Sequence, residues 1–225
     1  MARLQAFADN VWIAEVEHAY MGLHVGARLT VIRLSSGALL LHSPIPLTAE
    51  LRSELDALGP VGHIVCPNLF HHVYAGEAAA VYPRALLHGP RALHKKRRDL
   101  AFAGTLGDTP HPDWSEDLRL LTIHGCLLHE TVFYHPASRT LIACDLVENF
   151  HTVPNWFTRT YLRLGGVLGR AGWHPLLRLA YYDRRRARAC VDRLLEWPFE
   201  RLALSHGEPL TEDARDIVRK GLAWL

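Results

Sequence analysis

Cysteine is scarce in this chain. Only Cys66, Cys126, Cys144 and Cys190 occur, and no two form a C-x-x-C pair. That spacing excludes a dense disulfide framework and gives no thiol pair for redox or zinc-knuckle chemistry. Cys66 and Cys144 sit inside apolar runs, where a buried, reduced thiol is expected, so a cytoplasmic location is the expectation. No run of eighteen apolar residues is present, which removes the usual signal for a membrane-spanning helix. The opening MARLQAFADNVWIAE carries acids and lacks a continuous apolar stretch, so no signal peptide is expected. Charge is nearly balanced, 25 basic against 23 acidic side chains, which supplies no molecule-wide field for nucleic acid. Internal repeats and low-complexity linkers are also missing, and one domain over residues 1 to 225 is the simplest organisation.

What is present reads as an ordinary globular chain, 49% apolar and 21% charged. NVWIAEVE (10–17) alternates as a first strand, and ARLTVIRLSSGALLLHSPIPL (27–47) places two β-rich runs around Ser-Ser-Gly, a hairpin signal. Leu51, Leu55 and Leu58 recur at helical spacing after Thr48 and stop at Gly59-Pro60. HIVCP then reads as a short strand, GEAAAVYP as a helix and ALLHGP as another strand. The polar, proline-broken stretch that begins KKRRDL is expected to be mostly loop. LRLLTIHG, TVFYH, RTLIACD and RLALSHG supply later strands, with Pro-Ala-Ser turning the middle pair. The last segment, TEDARDIVRKGLAWL, reads as an amphipathic helix capped by Thr211.

Residues 151 to 190 stand apart. They hold eight arginines (159, 163, 170, 178, 184, 185, 186 and 188), no lysine and one acid, Asp183. Trp156, Tyr161, Trp173, Tyr181 and Tyr182 are interleaved with them. A basic helical insertion whose arginines face water is the plain reading. The functional one is a surface for an anionic ligand or for peripheral contact with an anionic bilayer. HKKRR (94–98) and RRRAR (184–188) invite a nucleic-acid reading, but no aromatic-basic pattern of an RNA-binding module accompanies them, and no nucleic acid is expected as a partner.

Metal-ligating or acid–base residues recur at strand ends: Asn68, His71 and His72 after HIVCP, Glu130 before TVFYH, Asp145 after TLIAC, and His206 after RLALS. Gly207 follows His206 and permits a tight exit turn. In layered α/β proteins the strand ends on one edge meet in a common crevice. Imidazole and carboxylate gathered there suit a divalent metal, zinc first, with iron or manganese as alternatives. His72, Asp145, His206, His71 and Glu130 are the candidate ligands. His71 is also the candidate acid–base group, and Asn68 the candidate for orienting water or substrate.

With this order of elements the chain resembles the metallo-β-lactamase superfamily. RLTVIRLSSGALLLHSPIPLT, ALGPVGHIVCPNLFHH, ETVFYHPASRTLIACDLVEN and SHG resemble more narrowly a branch known as a domain of unknown function, with Pro-Asn-x-x-His-His in place of the usual His-x-His-x-Asp-His. The resemblance covers roughly residues 9 to 225. It implies an α/β fold, an αββα sandwich of two mixed β-sheets flanked by helices, with the site at one edge. Laid so that its last histidine falls on His72, the usual motif puts its first two on Pro67 and Leu69 and its aspartate on His71. Asp145 and His206 match the bridging aspartate and the last histidine. The resemblance thus implies an atypical, single-metal centre.

Two functions follow. One is a metal-dependent hydrolase that activates water against an ester- or phosphate-type small molecule, anionic if the 151–190 segment faces it. The other is an inactive relative of the same fold that binds a ligand or a partner. Site-quality side chains at every strand end favour the first, because buried carboxylates and imidazoles cost free energy unless paired.

Overall fold

The computed structural model describes residues 2–225. Its first half contains β1 (Gln5–Ala8), β2 (Val11–Val16), β3 (Ala19–Tyr20), β4 (Leu23–His24), β5 (Ala27–Arg33), β6 (Leu39–His42), α1 (Ala49–Leu58), β7 (Val61–Val65), α2 (Ala75–Val81), β8 (Leu86–Gly89), α3 (Arg91–Lys96) and β9 (Gly104–Thr105). The second half adds β10 (Arg119–Thr122), β11 (Thr131–His135), β12 (Thr140–Ile142), α4 (Trp156–Leu164), α5 (Arg184–Leu194), β13 (Arg201–Ala203) and α6 (Ala214–Gly221). A seven-stranded sheet runs β1-β2-β5-β6-β7-β8-β9, and a four-stranded sheet runs β10-β11-β12-β13. Both are mixed: β6, β7, β8 and β9 are parallel neighbours, as are β12 and β13, while the remaining pairs are antiparallel.

Alternation along each strand explains the layers. Leu39 and Leu41 of β6 join Leu51 and Leu55 of α1 on the outer face of the first sheet. Leu40, between them, points inward with Ile32, Val65, Phe133, Ile142 and Ala203. In the second sheet Val132, Tyr134, Leu141 and Leu202 face outward onto Val191, Leu194 and Val218 of α5 and α6. The result is helix, sheet, sheet, helix, the α/β sandwich expected from the sequence.

The local signals hold where they are strongest. Thr48 Oγ1 accepts the Leu51 N–H at 3.3 Å and starts α1. The β5–β6 hairpin turns at Gly37, whose φ of 84° is open to glycine at no steric cost. Arg139 closes the β11–β12 turn after Pro-Ala-Ser. All four cysteines are buried and free.

Other expectations need correction. Helix α6 begins at Ala214 behind Asp213, whose backbone is left-handed, so Thr211 is not its cap. The stretch that begins KKRRDL is mostly irregular, but its first two residues complete α3, and β9 interrupts it. Residues 151 to 190 are less helical than their composition suggests: α4, a 3-10 turn at Leu177–Ala180 and the start of α5 are joined by irregular chain. Strand β1 and the small β3–β4 hairpin lack a sequence signal of their own.

Candidate metal centre

The C-terminal ends of β7, β12 and β13 come together at one edge of the sandwich. His71, Asp145 and His206 each offer a ligand atom there, all within 4.8 Å of one another. His71 Nε2 lies 3.2 Å from His206 Nε2 and 3.5 Å from Asp145 Oδ2, and His206 Nε2 lies 3.2 Å from Asp145 Oδ1. The first sheet thus delivers one imidazole, and the second delivers the carboxylate and the other imidazole.

Each ligand is held by a neighbour. His206 Nδ1 donates to the carbonyls of Val25 and Gly26 at 3.3 and 3.2 Å. Carbonyls only accept, so Nδ1 carries a proton and Nε2 is the nitrogen turned to the cluster. His71 Nδ1 shares a 2.8 Å hydrogen bond with Ser43 Oγ, which likewise directs Nε2 to the cluster. Ser43 follows β6 with a left-handed backbone, φ 57°. Two imidazole Nε2 atoms and a carboxylate facing one point are a donor set that fits one divalent cation, and the partners at Nδ1 are the usual supports of such ligands.

The electrostatics agree. Burial pushes Asp145 up, but the imidazoles of His71 and His206 prevail and hold it well below the usual carboxylate range. Burial works against charge on His206, yet the hydrogen bond and charge of Asp145 push it up to about 9. Positive charge is therefore favoured at this point.

The remaining candidates lie around the cluster rather than in it. His72 is not one of the three: Arg97 Nη1 donates to its Nδ1 at 2.9 Å and to its carbonyl at 3.2 Å. Burial, then Lys96 and Arg97, lower its pKa and keep the ring neutral. Glu130 accepts the backbone N–H of Cys144 at 2.6 Å and of Asp145 at 3.0 Å, and burial followed by the charge of Asp145 raises its pKa. Asn68, fully buried, turns inward. Its Oδ1 accepts the N–H of Phe70 and His71, and its Nδ2 donates to Asp145 Oδ2 at 2.7 Å. That turn after Pro67 selects His71, not His72, for the cluster.

Sequence reasoning missed three contributors. Ser43 stands at a strand end like the others, but it is neither metal ligand nor base. Arg28, buried in β5, donates to the carbonyls of Leu204 and Gly207 on either side of His206 and pairs with Glu15 at 2.6 Å. His18, read as a residue without a role, lines the pocket above the cluster, with Tyr74 Oη 3.3 Å from its Nδ1. Gly207 behaves as anticipated: φ is 88°, and a Cβ there would lie 2.1 Å from the Asn149 carbonyl.

The pocket over the cluster has a volume of about 460 Å³. Leu23, Val25, Leu128, Phe150, Leu162 and Trp173 give it apolar walls, and Asp145, His206, His71, His72, Glu148 and Lys96 are among its charged or titratable members. Burial pushes Glu148 up to about 7, with His206 opposing and Asp145 reinforcing the shift.

Residues 8–161 match a family described as Domain of unknown function (DUF4336). No curated protein matches the chain. Among solved structures the chain is similar to a metallo-beta-lactamase from Pontibacter korlensis, with a TM-score of 0.68 and 14% identity over 99% of this chain and 98% of that one. It is similar also to the metallo-beta-lactamase FIM-1 from Pseudomonas aeruginosa in a mono-zinc form, with a TM-score of 0.66 and 12% identity over 99% and 95%. The metal-soaked Flv1 flavodiiron core from Synechocystis sp. PCC6803 gives 0.70 and 13% over 99% of this chain and 60% of that one. At these identities the likeness is one of fold.

Proposed function

The chain belongs to the DUF4336 family, and from that starting point we propose that it is a metal-dependent hydrolase with one divalent cation held by His71, Asp145 and His206. The observation that carries this reading is the convergence of those three ligand atoms within 4.8 Å at the floor of the pocket. A divalent cation, zinc first by the donor set and iron or manganese otherwise, supplies a Lewis acid and brings the pKa of bound water towards about 7.

The protein's own groups divide the remaining work. Asn68 holds the Asp145 carboxylate and Glu130 its backbone, so the ligand is fixed from two sides. The Val25 and Gly26 carbonyls keep a proton on His206 Nδ1, and Ser43 Oγ engages His71 Nδ1, so both rings turn Nε2 to the cluster. His72, whose Nδ1 accepts from Arg97, keeps its proton on Nε2 as a donor in the same pocket. Glu148 lines the same pocket, where burial raises its carboxyl towards neutrality. A cation held by these three residues alone would be open to water and to an ester- or phosphate-type small molecule.

Metal content is the test. Protein purified without chelator is expected to carry one equivalent of metal, with His71→Ala and His206→Ala losing it and His72→Ala keeping it. Metal-free wild type, or a His72→Ala variant as depleted as the other two, overturns the assignment.

A further inference from the structure

The wall and mouth of the pocket differ from its floor. Tyr20, Phe70, Val73 and Leu177 line the pocket and are also exposed to solvent. In the same segments Met21 follows Tyr20, Trp156 opens α4, and Leu176 and Leu179 flank Leu177, exposed by 85%, 74%, 63% and 74%. These side chains come from separate segments that are tied together. His24 of the β3–β4 hairpin donates its N–H to Thr158 Oγ1 of α4 at 2.8 Å, and the rings of Tyr20 and Phe70 meet edge to face at 6.1 Å. Apolar side chains scattered singly over a surface need no explanation, but a collar of them around a cavity does.

The segment that lends the pocket Thr158, Tyr161, Leu162, Trp173 and Leu177 is cationic. Of the eight arginines in residues 151 to 190, only Arg188 has a carboxylate partner among the described residues, Asp192. The one acid of the segment, Asp183, is occupied in capping α5. Lys96 adds a further cation at the pocket, its Nζ 5.4 Å from the centre of the Phe70 ring. Arg178 and Arg184 lie over the Trp224 ring, and the other arginines without a carboxylate, with the apolar tips of the same segment, match an anionic lipid surface, whose headgroups take the charge and whose acyl region takes the tips. A second copy of the chain would set arginine against arginine. A nucleic acid would leave Met21, Leu176 and Leu179 without an apolar environment.

We propose that the collar around the pocket docks on an anionic bilayer, and that the apolar pocket receives the acyl chain of an amphiphilic substrate drawn from it. Docking stands on the surface alone. The acyl-chain assignment rests on the reading of the cluster as a hydrolytic centre, because that reading places the reacting ester or phosphoester at Asp145 and His206 with the chain along Phe150, Leu162 and Trp173. No helix of the described residues is long and apolar enough to cross a membrane, so the contact is peripheral.

The test is co-sedimentation of the whole chain with vesicles of equal parts phosphatidylserine and phosphatidylcholine, beside pure phosphatidylcholine. Binding is expected to the first and to be about fivefold weaker for each of Arg163→Ser and Arg170→Ser. The exposed triple variant Trp156→Ser/Leu176→Ser/Leu179→Ser is expected to lose it. A fluorescent long-chain fatty acid should bind in the pocket and be displaced by palmitate but not by butyrate. No sedimentation, equal binding to neutral vesicles, or binding untouched by these substitutions overturns the docking. A fatty acid that does not bind overturns the acyl-chain assignment. Because His71→Ala removes the metal but leaves the collar intact, it should sediment like wild type, which separates failure here from failure of the metal reading.

Discussion

Asn68 donates from Nδ2 to Asp145 Oδ2 at 2.7 Å while its Oδ1 gathers the N–H groups of Phe70 and His71. One buried amide thus orients two of the three ligands, although they lie 74 positions apart. Asn68→Ala removes both functions. It should cost about 1–3 kcal/mol of stability in chemical denaturation, from the stranded N–H groups. Metal affinity should fall about 10–100-fold, the usual cost of losing a group that supports a ligand. Unchanged affinity in a metal titration would show that Asp145 orients itself.

Arg28 makes a different kind of brace. Its guanidinium spans the carbonyls on both sides of His206, which a lysine cannot reproduce with a single ammonium. Arg28→Lys should therefore fold with about 1–2 kcal/mol lower stability and weakened metal retention, and Arg28→Ala should lose about 2–3 kcal/mol by leaving two carbonyls without their donor, Glu15 being largely solvated. Thermal denaturation with and without added zinc distinguishes the two contributions.

At Ser43 backbone and side chain pull apart. Its left-handed conformation costs roughly 1 kcal/mol for any residue but glycine, while its hydroxyl serves His71. Ser43→Gly should be more stable than Ser43→Ala by about that amount, yet both should bind metal more weakly than wild type. Equal metal affinity in all three proteins would remove the hydroxyl from the account.

Acid should weaken the fold through a second histidine group, on β7 and β8. His63 Nδ1 and His88 Nε2 are 3.2 Å apart, with Asp113 3.4 Å from His63 Nε2 and with His111 and Trp114 packed against both rings. Burial, then His63 and His111, push His88 down to about 3 from its ordinary 6.5. Between those values the unfolded chain binds a proton that the folded chain refuses. Stability is whole above about pH 6.5 and falls as pH drops, at up to about 1.4 kcal/mol per unit. His88→Gln should flatten that slope in urea titrations between pH 4 and 7; a slope equal to wild type refutes the assignment.

Much of the fold is legible in the sequence because short-range rules decide it. Thr48, the leucines of α1, the Ser-Ser-Gly turn and the alternation at Leu39, Leu40 and Leu41 need only their neighbours. The site is legible in outline for the same reason, since Asp145 and His206 each close a strand. What resists is whatever depends on distant partners. The choice between His71 and His72 is made by how Asn68 folds the loop, and Arg28 acts on residues 176 and 179 positions away. Asp213 starts α6 in a left-handed conformation that the Thr-x-Asp pattern does not announce.

The two sheets contribute unequally to the cluster, one histidine from the first and two ligands from the second. A cation shared among them, as proposed, would work as a rivet between the layers: the sandwich could not part at that edge without first surrendering it. Chelation should therefore loosen the seam between Ser43 and Gly207 before it disturbs either sheet, so that hydrogen exchange quickens along one margin of the molecule and nowhere else.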